Sequence, residues 1–134
     1  MDWTDATAPD AAQIEGMAVA ARAALPEVFR GEAMKVALIV EEFATNETLQ
    51  DLEIEDPFTL TGLYDGVPLI EKSVMDQPTQ PDTIRLYRRA ILDEWVARVN
   101  IPLAALVAHV YVHELAHHFG WSDDDIATID KWWT

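Results

Sequence analysis

The sequence predicts an α+β domain, and three stretches carry that reading. Val36-Ala37-Leu38-Ile39-Val40 is an uninterrupted apolar run rich in β-branched residues, the pattern of a buried strand. Thr83-Ile84-Arg85-Leu86-Tyr87 alternates polar and apolar side chains, the period of a half-buried strand. Apolar residues surround the axis from Ile101 to Ala108 in a helix that should run on to Phe119, about 28 Å, so the segment predicts a buried helix rather than a surface one. Helical segments stand before and after the strands instead of alternating with each of them, which is the order of an α+β chain.

The elements follow in order. Residues 1–9 read as a flexible polar lead, and residues 10–134 as one domain. Asp10 can cap a helix, and Gln13 stands three residues on, where a capping box needs it. Ile14, Met17, Ala18, Ala21 and Leu25 recur at helical spacing. Pro26 ends this helix or opens a short second one that runs to about Met34. Ala44 to Pro57 is acidic, follows no period and reads as a surface loop. Thr59 to Tyr64 and Val67 to Ile70 flank Asp65-Gly66, a pair suited to a two-residue hairpin turn, and Pro68 confines the second arm to a sheet edge. Met75 to Pro81 is a loop with two prolines, and Arg88 to Val99 repeats apolar residues as a helix does. Asn100 is placed to cap the buried helix, and Gly120 to end it in the left-handed conformation. Ser122 can cap a last helix running to Trp132-Trp133.

Composition narrows the function. At 134 residues, 50% hydrophobic and 25% charged, the chain is large enough for one core and has a globular balance. Its 24 acidic and 9 basic side chains give a formal charge of −15, which repels phosphate backbones and anionic lipid. Neither a nucleic acid nor a membrane is therefore an expected partner. With no cysteine, disulfides, iron–sulfur clusters and thiol nucleophiles are excluded. An acidic start and no apolar run long enough to span a bilayer predict a soluble, cytoplasmic protein.

All four histidines fall between positions 109 and 118, within the buried helix. His113-Glu114-Leu115-Ala116-His117 has the spacing H-E-x-x-H. Residues four apart on a helix are separated by about 40° around the axis and about 6 Å along it, so both imidazoles can reach one metal ion. Glu114 stands on the same side, where it can take a proton from an attacking water. The chemistry implied is that of a zinc hydrolase, with two nitrogen ligands, a general base and an open coordination position. A third protein ligand is expected. Beyond His118 the chain has no further His or Glu, so a downstream ligand must be Asp123, Asp124, Asp125 or Asp130. Asp123 is favoured, because Gly120 can turn the chain back and bring the residue three further on toward the metal. Acidic residues here also suit the first turn of the next helix, and Ser122 with Asp125 can form a capping box. His109 lies about 12 Å along the axis from His117 and reads as a buried hydrogen-bonding residue. His118 points about 100° away from His117 and reads as a contact to a neighbouring helix. Tyr64 and Tyr87 are candidates to polarise a carbonyl, though no spacing singles out either.

Four stretches taken together resemble the small bacterial zincin-like metallopeptidases, the minimal metalloproteases. They are Leu25 to Phe29, Leu63 to Leu69, Ile84 to Arg89 and the run from His113 through Asp123. The resemblance covers most of the chain from about Ala24 onward, and His-Glu-Leu-Ala-His-His-Phe-Gly is far more specific than the five-residue motif. It implies a minimal zincin-like fold: a small mixed β-sheet packed on the motif helix, with flanking N- and C-terminal helices. It also implies one Zn²⁺ per chain held by His113, His117 and Asp123, and a peptide or protein substrate. Larger zincins that share the glycine extension place a methionine turn beneath the metal, and no methionine follows the motif here.

The expected function is hydrolysis of peptide bonds by a metal-activated water, with Glu114 as general base. The rival expectation is a catalytically silent metal-binding protein that acts through a protein partner. A third is a helix whose histidines serve only the core, without metal.

Overall fold

The computed structural model describes residues 8–66, 82–98 and 100–121. Within them lie five helices and a three-stranded mixed sheet, the α+β arrangement that the sequence predicts. Helix α1 spans Ala11–Ala23 and begins at the capping box: the Gln13 amide donates to Asp10 Oδ1, and the Asp10 amide donates to Gln13 Oε1, each at 2.8 Å. Pro26 starts a second helix, α2, over Glu27–Ala33. Strand β1 covers Ala37–Glu41, β2 Gly62–Asp65 and β3 Thr83–Tyr87. Their spatial order is β1-β3-β2, with β1 parallel to β3 and β2 antiparallel to it.

The order of the strands corrects two expectations about burial. Val36 to Val40 reads as a buried strand, yet among the described residues β1 lies at a sheet edge and leaves Ile39 39% exposed. Thr83 to Tyr87 reads as half-buried, yet β3 is the central strand and buries every residue but Arg85, which pairs with Glu41. Ile84 and Leu86 point into the main core with Ile14, Leu106, Val107 and Leu115, whereas Tyr87 joins Ala44, Leu49 and Ala90 in a second cluster. Alternation alone cannot tell a strand with one polar face from one whose second face meets another layer.

Two further differences concern chain ends and loops. The acidic stretch read as a loop contains a short helix, α3, over Asn46–Asp51. The Thr48 amide donates to Thr45 Oγ1 at its start, and it buries only Leu49, so no apolar period marks it. The buried helix α5 spans Leu103–His118 and begins after Pro102 rather than after an Asn100 cap. Before it, α4 runs over Arg88–Ala97, and Arg88 ties its start to the N-terminus by donating from Nε to the Pro9 carbonyl at 2.7 Å. The second hairpin arm at Val67 to Ile70, residues 1–7 of the lead and the helix expected after Ser122 lie outside the described residues.

Helix α5 is the centre of the packing. It lies across α1, β2 and β3 and buries Leu106, Val107, Val110, Tyr111, Leu115 and Ala116. Its C-terminus closes as expected: Gly120 adopts φ 82°, the Gly120 amide donates to His117 O at 2.9 Å, and the Trp121 amide donates to Ala116 O at 3.0 Å. No helix among the described residues is long and apolar enough to cross a membrane.

Helix α5 and the sheet approach closely at Gly62 of β2. A Cβ there would lie 2.7 Å from Val110 Cγ1 and 3.2 Å from Glu114 Cγ. Val110 is β-branched and buried, so its methyl has little freedom to withdraw. Gly62→Ala is expected to lower stability by about 1–3 kcal/mol through overpacking, read as a lower urea midpoint with an unchanged slope.

Candidate metal centre

Every residue of the motif lies on α5, so the helix alone sets their spacing. His109, His113 and His117 follow one another along the same side of it, each a little over one turn from the last. Their rings are not evenly disposed. His109 and His113 stand with centroids 6.4 Å apart and planes tilted by 34°. His113 and His117 converge to 5.1 Å with planes at 78°. Two imidazoles bound through nitrogen to one tetrahedral zinc, at Zn–N distances of about 2.05 Å, place their ring centroids about 5 Å apart. The second pair therefore fits a shared ion, and the first is more than an ångström too wide.

Glu114 sits beside this pair and beneath the edge strand, with its Cγ against the Gly62 backbone. His113, Glu114 and His117 are all half-buried, on a helix whose other positions are largely closed off. The donor set of two imidazoles suits zinc, and the half-exposed carboxylate leaves a route for water. Among the described residues, no group of three or more His, Cys, Asp or Glu side chains gathers to hold a metal. The candidate third ligands Asp123, Asp124, Asp125 and Asp130 all lie outside those residues.

The fourth histidine has a different setting. His118 is 3% exposed and meets a carboxylate on each side of its ring. Its Nε2 lies 3.0 Å from Glu32 Oε1 of α2, and its Nδ1 lies 3.0 Å from Asp82 Oδ2 at the entry to β3. Both ring nitrogens thus have a carboxylate oxygen within hydrogen-bond distance. The Tyr64 hydroxyl, from β2, donates to the same Asp82 oxygen at 2.7 Å and sits 2.9 Å from His118 Nδ1. The expected contact to a neighbouring helix is thus one part of a four-residue network. The hydrogen bond from His118, opposed in part by burial, holds the Glu32 carboxyl below its usual pKa. Burial first, and then the hydrogen bond to Asp82, push the Tyr64 phenol above its usual range, so it remains a donor.

This network answers the question of the two tyrosines. The Tyr64 proton is committed to Asp82. Tyr87 is 1% exposed, in the cluster on the other face of the sheet from α5, and burial pushes its phenol up to about 12. Neither hydroxyl is presented to a substrate carbonyl. Glu32 and Asp82 carry no signal in the sequence, because nothing local distinguishes them from the other acidic residues.

A cavity of about 450 Å³ opens on a different stripe of α5, between Leu25 and Phe29 on one side and Val112, Leu115, Phe119 and Trp121 on the other. Its walls are apolar, and Phe29 meets Phe119 and Trp121 edge-on with centroids 5.4 and 6.1 Å away. It offers no group able to bind metal or transfer a proton.

No curated protein sequence matches the chain. A family model described as zincin-like metallopeptidase matches residues 33–133, a span that includes all three strands, the motif helix and the residues after it. The chain belongs to the zincin-like metallopeptidase family.

Proposed function

We propose that the chain is a zinc-dependent peptidase whose reaction takes place between α5 and the edge strand β2. The observation that supports this most directly is the convergence of His113 and His117 to 5.1 Å, next to a half-buried Glu114. His113 and His117 would hold the ion together with Asp123, one zinc per chain. When bound, zinc supplies a Lewis acid that polarises the scissile carbonyl and makes water a nucleophile near neutral pH. Glu114 is the proton carrier. It accepts a proton as water attacks the carbonyl carbon and delivers it to the amine nitrogen as the peptide bond breaks. Helix α5 keeps the carboxylate one residue from a metal ligand, so proton acceptor and reacting carbonyl need no search to meet.

The substrate backbone is placed by the sheet. Among the described residues β2 is a sheet edge, paired on one side with β3, and an extended peptide can add to such an edge by main-chain hydrogen bonds. Gly62 brings that edge into contact with Glu114, so a peptide lying along β2 passes the proton carrier. A chain of charge −15 favours basic or neutral peptides over acidic ones.

Two experiments test this reading. Glu114→Gln should retain one zinc per chain by elemental analysis while hydrolysis of a quenched-fluorescence peptide library falls by about 10²–10⁴-fold. An unchanged rate would rule out the mechanism. Exhaustive chelation should abolish hydrolysis and stoichiometric zinc should restore it, whereas His113→Ala with His117→Ala should bind no stoichiometric zinc.

A further inference from the structure

We infer that Tyr64 and His118 are positioning residues: through Asp82 and Glu32 they clamp the edge strand β2 onto the motif helix in the register that holds Gly62 against Glu114. The functional half of this inference rests on the proposed peptidase activity; the structural half does not.

Gly62 and Tyr64 are two residues apart on β2, so they face the same side of the strand and lie about 6.8 Å apart along it. Glu114 and His118 are four residues apart on α5, about 6 Å along the axis. The two spacings nearly match, and the strand meets the helix at two successive levels. At one, the Gly62 backbone rests on Val110 and Glu114; at the other, the Tyr64 hydroxyl reaches His118 Nδ1. The first level is apolar contact, which resists compression but is indifferent to small slides along the helix. The second has direction. Tyr64 must point at Asp82 Oδ2 and His118 Nδ1 together, which one position of the strand satisfies.

The remaining members hold that position from other sides. Glu32 fixes the far nitrogen of His118 from α2, and Asp82 belongs to the entry of the central strand. Asp82 also closes against the turn that follows β2, since a Cβ on Gly66 would fall 2.5 Å from its Cγ. Helix, central strand and β2 thus meet at one partly buried cluster with His118 and Asp82 closed off at its centre, and directional bonds to such buried groups tolerate few alternative arrangements. A shift of β2 that broke it would carry the edge strand away from Glu114, and misplacement of about 1 Å can cost about 10²-fold in rate.

Tyr64→Phe tests the clamp with the least disturbance, because the ring and its edge contact with His118 are kept and only the hydroxyl is lost. His118→Gln disconnects the network from the helix side. By hydrogen–deuterium exchange of the whole chain, the amides of Gly62–Asp65 should exchange about ten-fold faster or more in both variants, with those of α1 unchanged. Bound zinc should stay at the wild-type level in Tyr64→Phe. On the quenched-fluorescence peptides, kcat per bound zinc should fall about ten-fold while KM changes by less than about two-fold, and wild-type zinc content with unchanged exchange of α1 separates this from simple loss of folded protein. Unchanged protection of β2 in Tyr64→Phe would overturn the clamp. A loosened β2 with wild-type kcat would overturn the positioning role. If wild-type hydrolysis proves independent of Glu114, the peptidase reading fails and takes the kinetic half of the inference with it, and exchange alone decides the clamp.

Discussion

The contact between α5 and β2 is the constraint on which the rest of this protein depends. The helix that carries His113, Glu114 and His117 lies directly beside β2, which is an edge strand among the described residues. The strand can approach because Gly62 has no side chain to keep α5 away. The sheet places it: β3 lies in the middle, and β2 is hydrogen-bonded to β3 on one side. The apolar positions of α5 fill the core while His109, His113 and His117 are left partly exposed, so one helix serves both as core element and as the carrier of the motif.

Polar chemistry is divided between two sides of that helix. One side carries the imidazole pair and the carboxylate, with partial access to solvent. The other carries His118, closed off between two carboxylates and a tyrosine. Adjacent histidines therefore have opposite fates, because a step of one residue turns a helix by about 100°. A buried histidine of this kind is costly unless both nitrogens are satisfied, and here Glu32 and Asp82 do that from separate elements.

Much of this was legible in the sequence where the signal is local. The Asp10–Gln13 capping box, the end of α5 at Gly120 and the existence of a strand over Thr83–Tyr87 each depend on residues within one turn or one strand, and each stands in the structure. The motif is legible for the same reason, since a single helix fixes its geometry. What was not legible depends on partners far away in the chain. Whether a strand is central or at an edge is decided by its neighbours, which is why β1 and β3 exchanged their expected degrees of burial. The six residues of α3 bury one leucine and leave no period to read. The His118 network joins residues 18, 54 and 86 positions apart, and no local pattern records such meetings.

The parallel pairing of β1 with β3 carries a consequence for how the chain acquires this structure. Ala37 lies opposite Thr83, so the sheet cannot form its central ladder until a long intervening stretch has been closed into a loop. That entropy is lost before the contacts that compensate for it appear, a feature of slow folding. Helix α1 and the turn at Asp10 can form early, but Ile84 and Leu86 stay uncovered until α5, later in the chain, lies down over them. During synthesis the nascent chain thus passes through a stage in which an apolar sheet face is exposed and its cover does not yet exist.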